Sequence, residues 1–416
     1  MIVMRKFHIY LFIALLFSCN DEQDAGPADR NTFVKYFGGE HSDVAQMVKT
    51  TDDGGFILLG NTTIPSGTSF INKIKLIKTD KNGNTDWEKI YPSFDETAYS
   101  VKGNSIYVTN DGGYIITGER INNADPSVTG LSLLKMSNTG KIISNYTSLP
   151  VSPSSIDTLF SGVDVIEDQS SGDIVVLGAG KVVSDNSNFM FWYRFDNTLA
   201  PIPDCSENLE NDLSIIKSLH KDYVNENYIF GGVSVVNNAL NMYAYFTSSD
   251  QCKQSFAIMN NSISITNAGK YYEPTQIIPF GDNIAAVGTT NDKASGNDTD
   301  LFIAVGLSGG AINSYNFNVS ENSEEVGKSI TASHDGGFVA VGTSISTNNL
   351  GSDIFVVKSS SKGEQGWQKT LGDKYNEEAV HVEQTSDGGY IIAGNIDFGN
   401  VDTMLLIKIN KDGELE

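Results

Sequence analysis

The segment DGGYIIAG at 387–394 is a tight turn running into a short apolar strand that ends in glycine, and the chain repeats it from end to end. Close copies are DGGFILLG at 53–60, DGGYIITG at 111–118 and DGGFVAVG at 335–342. Looser copies keep the apolar run and the closing glycine without the Asp-Gly-Gly turn: SGDIVVLG at 171–178, NENYIFGG at 225–232 and GDNIAAVG at 281–288. Successive copies start roughly 52 to 60 residues apart, a period that belongs to propellers, solenoids or arrays. So even a repeat argues for one large unit rather than several unrelated domains.

Reading outward from the last copy gives a four-strand unit. The alternating stretch AVHVEQT at 379–385 is the first strand, the glycine box at 389–395 the second, and MLLIKI at 404–409 the third. A further hairpin turn, Lys411-Asp412-Gly413, follows, and there the chain stops. Other copies continue into a fourth strand, DWEKIY at 86–91 and GWQKTL at 366–371. The missing strand stands at the other end: TFVKYFGG at 32–39 has the same order of aromatic, Lys and Gly as Trp367, Lys369 and Gly372. An N-terminal strand that completes the last sheet closes a ring and removes two exposed edges. A linear solenoid would need capping repeats and gains nothing from splitting one unit across both termini. The expected fold is therefore all-β: a seven-bladed β-propeller of four-stranded blades over 32–416, closed by the N-terminal strand.

Arg5 and Lys6 precede an apolar run over 7–17 that is too short to span a bilayer and has the layout of a signal peptide, expected over 1–18. Its end, Leu16-Phe17-Ser18-Cys19, resembles a bacterial lipobox, which implies cleavage before Cys19 and lipid on that cysteine. Residues 19–31 then read as the lipidated cysteine and a flexible polar tether, with the lipid holding the domain at a membrane surface. Asn20-Asp21-Glu22 resembles the surface-export pattern of Bacteroidota lipoproteins. The expectation is an outer-membrane lipoprotein, with surface display and a periplasmic face both open. With Cys19 so assigned, Cys205 and Cys252 remain as a disulfide pair or as two separate buried thiols. A formal net charge of −23 repels phosphate backbones and argues against nucleic acid as a partner.

In its DGGYIIxG and NGNxxWxK motifs the repeat resembles the propeller repeats of secreted proteins and lipoproteins of Bacteroidota. The resemblance covers nearly all of the mature chain and implies fold and lineage. It carries no activity, so no catalytic residue is transferred, and no cofactor is expected.

Acidic residues recur where the outer strand of one unit crosses to the inner strand of the next: Asp43, Glu96, Asp157, Asp212, Glu273, Glu325 and Glu378. On a propeller these crossings share one face, so the carboxylates could ring the channel mouth as oxygen ligands for a hard cation or other ligand. The competing account has them satisfying backbone N–H groups at strand entries. The run DKNGNTD at 80–86 superficially resembles a calcium loop but lacks the glycine and glutamate spacing of an EF-hand, and an Asn-Gly hairpin explains it. The turn at 333–338 resembles the Asp-box of sialidases, yet Ala340 stands where its tryptophan would be. Arg120 and Arg194 are also too few for the three-arginine carboxylate grip of that family. Trp192 reads either as core or as a platform for stacking a sugar. The leading expectation is a non-enzymatic interaction scaffold for protein or glycan. The alternatives are a carbohydrate-active hydrolase or lyase using channel-mouth carboxylates such as Glu325 and Glu378, and a structural subunit of an envelope complex.

Overall fold

The computed structural model describes residues 31–67, 69–92, 98–147, 158–182, 188–210, 215–222, 227–236, 239–248, 257–258, 263–265, 270–280, 283–292, 299–306, 312–320, 323–346, 351–399 and 401–415. The segment expected to be a signal peptide, Cys19 and all but the last residue of the expected tether lie outside these residues, as does Cys252.

The glycine box explains itself in the last blade. Gly388 adopts φ +85°, which an L side chain rarely takes, and its N–H donates to the carbonyl of Thr385 at 2.9 Å to close the turn. A Cβ on Gly389 would lie 2.5 Å from the Ile409 carbonyl of the third strand, and one on Gly394 would lie 2.4 Å from the Glu378 carbonyl of the first. That second contact has a cause. The first strand, Asn376–Gln384, bulges between Ala379 and His381, directly opposite Gly394. All seven innermost strands carry the same bulge, the others between Ala45 and Met47, Gly103 and Ser105, Gly162 and Asp164, Ile216 and Ser218, Pro274 and Gln276, and Gly327 and Ser329. The closing glycine of the motif is thus the room the partner strand needs for its bulge.

Seven antiparallel sheets follow in chain order, each a blade. Blade 1 spans 42–91, blade 2 99–147, blade 3 158–210, blade 4 215–265, blade 5 270–317 and blade 6 323–371. Blade 7 takes its first three strands from 376–409 and its fourth, Phe33–Phe37, from the other end of the chain. That strand runs antiparallel to Asp402–Ile409, with Phe33 opposite Lys408 and Phe37 opposite Met404. Innermost strands touch from blade to blade, and the cycle closes where Asn376–Gln384 meets Ser42–Thr50. The molecule is a seven-bladed β-propeller closed by its N-terminal strand. Blade 4 departs from the four-strand plan, since its outer edge is two short strands, Ala257–Ile258 and Ile263–Ile265, both paired to Ala239–Ser248.

The core lies between the blades. Each of seven buried apolar clusters draws on two adjacent sheets; Val341, Ile354 and Val356 of blade 6, for instance, pack on Ala379, Ile392 and Leu405 of blade 7. Each fully buried side chain of this kind stabilises the fold by about 1.5–3 kcal/mol. Trp87 and Trp367, on fourth strands, set their indoles edge-on against Tyr114 and Tyr390 of the next blade, at 6.1 and 6.5 Å between ring centres. Phe33 takes the same place against Phe56 of blade 1 at 5.9 Å, so the terminal strand packs as the others do.

Candidate functional site

On one face of the ring, the Asp-Gly-Gly carboxylates are absorbed by the fold. Asp53 accepts from the Thr51 hydroxyl at 2.6 Å, the Gly55 amide at 3.0 Å and the Lys78 ammonium at 2.8 Å. Burial alone would raise its pKa, but these donors outweigh burial and hold it down to about 2. The same clasp joins Lys358 to Asp335 and Lys408 to Asp387, and Arg194 serves Asp173 in blade 3. In blade 2 the lysine reaches further, with Lys135 Nζ donating to the Asn197 carbonyl of blade 3 at 2.9 Å. The DKNGNTD run is a capped hairpin: Asp80 accepts from the amides of Asn82 and Asn84, both at 2.8 Å.

The described carboxylates of the acidic ring meet different surroundings. Asp43 is buried and ion-paired to Lys75 at 2.8 Å. Glu325 is fully buried; burial raises its carboxyl against the Ser323 and Ser344 hydroxyls and the Val319 amide that donate to it. Glu378 accepts from Asn395 Nδ2 at 3.0 Å, and Glu273 is exposed. Glu96, Asp157 and Asp212 lie outside the described residues. Among the described residues no group of three or more His, Cys, Asp or Glu side chains is placed to hold a metal ion. Asp43, Glu325 and Glu378 are thus engaged by groups next to them in the chain or in their own blade. Trp192 is 2% exposed, packed with Leu177 and Met190 of blade 3 and Leu219 and Tyr228 of blade 4. An indole enclosed in this way offers no face for a sugar, so its role is core. Cys205 lies on the strand Pro201–Glu210, and its pairing falls outside the described side chains.

Sequence reasoning missed the residues that follow the bulges on the innermost strands. Several reach across to the next blade: Asp164 Oδ2 accepts from the Leu219 amide at 2.9 Å, Gln276 Oε1 from the Ile330 amide at 2.8 Å, and Ser329 Oγ from the Val382 amide at 3.2 Å. They stitch the innermost strands into a girdle. His381 is buried beside them; burial first, and then the charge of Lys49, lowers its pKa well below the usual imidazole range. It is a neutral buried residue at physiological pH.

The opposite face, where outer strands cross to inner ones, holds a cluster of carboxyls that backbone amides serve in part and that no cation among the described residues pairs with. The crossing from blade 6 to blade 7 brings together Asp353 at the start of a third strand, Asp373 in the crossing, and Glu377 on the first strand of blade 7. A Cβ on Gly372 would lie 2.2 Å from Asp353 Oδ1 and 3.0 Å from Glu377 Oε2, so both oxygens close on one point. Glu377 is 4% exposed, and its Oε2 has no hydrogen-bond partner. Burial, then the charges of Asp373 and Asp353, raise its pKa from 4.5 to about 6, and Asp353 is raised by burial and by Asp373. Beside the carboxyls stands an aromatic ledge of Tyr36, Tyr375 and Phe398, with Phe398 4.9 Å from Tyr375 and 5.9 Å from Tyr36. Tyr36 and Phe398 are 54% and 43% exposed. Asp373 and Glu377 both act on the Tyr36 phenol, which places ledge and carboxyls in one neighbourhood.

Solved structures are similar to this chain in fold. A puromycin-hydrolysing peptidase of Mycobacterium tuberculosis matches 91% of this chain with a TM-score of 0.52 at 8% identity; the chain spans 54% of that protein. YCF48 from Cyanidioschyzon merolae matches over 91% of this chain and 98% of its own at 10% identity, with a TM-score of 0.48. The β-propeller domain of the Trilobed protease from Pyrococcus furiosus matches over 89% and 95% at 8% identity, with a TM-score of 0.48. At such identities the likeness concerns the fold alone. No family model matches the chain, and no curated protein sequence matches it.

Proposed function

We propose that this protein is a lipid-anchored envelope lipoprotein that acts as a non-enzymatic binding scaffold, tethered through Cys19 to the outer membrane and presenting the crossing face of its ring to a protein or glycan partner. The observation that carries the reading is the ledge. Exposed aromatic rings beside carboxyls that no cation among the described residues pairs with, held on strands and strand ends of a closed ring, form a surface that costs the free protein and gains from a partner. The lipobox-like Leu16-Phe17-Ser18-Cys19 supports the anchor, and Asn20-Asp21-Glu22 supports display outside the cell. Labelling with a radioactive fatty acid, with the Cys19→Ser variant as control, and protease treatment of intact cells test both halves. Label that persists in Cys19→Ser removes the anchor. Protection until the outer membrane is opened replaces surface display with a periplasmic scaffold.

A second reading, a carbohydrate-active hydrolase or lyase, is favoured by one observation: Glu377 is raised to about 6 beside Asp353, and unequal carboxyls in one site are what acid and base roles require. Release of reducing ends from surface polysaccharides, abolished in Glu377→Gln, would replace the scaffold by an enzyme.

A further inference from the structure

We propose that the carboxyl cluster of Asp353, Asp373 and Glu377, with the ledge of Tyr36, Tyr375 and Phe398, is a docking site for a lysine or arginine side chain on an extended basic segment of a partner protein. The inference rests on the scaffold reading and names the chemistry its partner must carry.

The argument begins with register. In blade 1, Ala45 stands opposite the closing Gly60, and Asp43 lies two residues before it; in blade 7, Ala379 stands opposite Gly394, and Glu377 lies two residues before it. Asp43 and Glu377 are therefore the same position of the repeat, and both are buried. In blade 1 the third strand places Lys75 opposite Gly60, and its ammonium reaches Asp43 at 2.8 Å. In blade 7 the residue opposite Gly394 is Leu405. Blade 7 has the buried carboxyl of blade 1 without the cation that blade 1 sets against it.

Nothing else in the described chain replaces that cation. Asp353, Asp373 and Glu377 make no ion pair among the described residues, and the nearby Lys374 turns its ammonium over the Tyr375 ring, 4.9 Å from its centre. Glu377 Oε2 is buried, without a partner, and faces the same point as Asp353 Oδ1. A buried carboxylate in this state is costly unless a positive charge is brought to it. The equivalent Glu325 of blade 6 likewise keeps one buried oxygen without a partner, but the Ser344 hydroxyl and the Val319 amide serve its other oxygen, and among the described residues no second carboxylate oxygen closes on it as Asp353 Oδ1 does on Glu377.

Two kinds of cation could fill the gap, and the surroundings choose between them. A metal ion needs several oxygen ligands enclosing it, and no such set is arranged among the described residues. An ammonium or guanidinium needs one or two carboxylate oxygens and profits from aromatic faces, which the ledge supplies. The aliphatic stem of a lysine or arginine can lie along the same rings. A net charge of −23 draws basic segments toward the ring in general, and the cluster gives them a place to stop.

The test titrates the folded protein with the neutral-capped peptide Ac-Gly-Lys-Gly-Arg-Gly-NH2, following the tyrosine ring signals by NMR. Glu377→Gln and Asp353→Asn are expected to weaken binding about tenfold each, the loss of a charge-assisted contact. Tyr36→Ala is expected to weaken it severalfold. Asp412→Asn removes one carboxylate from the hairpin-turn face and is expected to leave the affinity within about twofold, which separates the site from diffuse attraction. Equal weakening in all four variants, or none in Glu377→Gln and Asp353→Asn, overturns the proposal. Calcium chloride alone displacing the peptide would make the site a metal site and overturn it. So would a neutral oligosaccharide that binds in a Tyr36-dependent, Glu377-independent way. Failure of the peptide to bind at all removes the basic partner while leaving anchoring and display to the labelling and protease measurements.

Discussion

Replacing Glu377 by glutamine should stabilise the protein, the reverse of what removing a buried side-chain charge from a working ion pair does. A carboxyl whose pKa is higher in the folded than in the unfolded chain holds its proton more tightly when folded, so its ionisation destabilises the fold. For Glu377 the rise is from 4.5 to about 6. At 1.36 kcal/mol per unit, the penalty is about 2 kcal/mol when the group is ionised, present in full above pH 6 and lost as the pH falls below about 4.5. Burial of the side chain, 4% exposed, keeps solvent from screening most of it. Glutamine keeps an oxygen for the amides of Asp373 and Glu377 that donate to this side chain, and carries no charge to repel Asp353 and Asp373. Urea unfolding of wild type and Glu377→Gln should therefore show the variant more stable by about 1–2 kcal/mol at pH 7.5 and equal at pH 4.0. A variant that is no more stable at pH 7.5, or whose gain persists at pH 4.0, would refute the view that this carboxyl is uncompensated in the free protein.

Lys75→Met should do the opposite, leaving Asp43 buried without its cation at a cost of about 3–5 kcal/mol, read as a fall in the urea midpoint. Deleting residues 32–37 removes the strand paired to Asp402–Ile409 and exposes that edge. The shortened protein is expected to run as dimers or larger species on size exclusion, and a monomer of unchanged stability would mean the ring does not need its terminal strand. Gly394→Ala places a Cβ 2.4 Å from the Glu378 carbonyl across from the bulge, so thermal melting should fall by several degrees. An unchanged melting temperature would show that the bulge relaxes freely.

The sequence alone determined the blade count, the order of strands within a blade and the closure of the ring. Those follow from spacing: an apolar run of strand length and a closing glycine recur wherever a blade recurs, in four of the seven copies behind an Asp-Gly-Gly turn like the one that takes positive φ at Gly388. The aromatic and lysine order shared by Phe33, Lys35 and Gly38 with Trp367, Lys369 and Gly372 likewise told which end supplies the last strand. The acidic ring was legible as a list of positions but not as a site, because a carboxylate's role depends on which cation or amide reaches it from another strand. Asp43 and Glu377 occupy one position of the repeat, and only cross-strand register puts Lys75 against the first and Leu405 against the second. Trp192 stood out by composition, and burial between two blades decided that it is core. The ledge joins Tyr36 to Phe398, near opposite ends of the chain, and the carboxyl cluster joins Asp353 to Glu377, on different blades. Local pattern records what each strand needs of its neighbours along the chain; closing the ring decides which charges meet across it, and which are left without a partner.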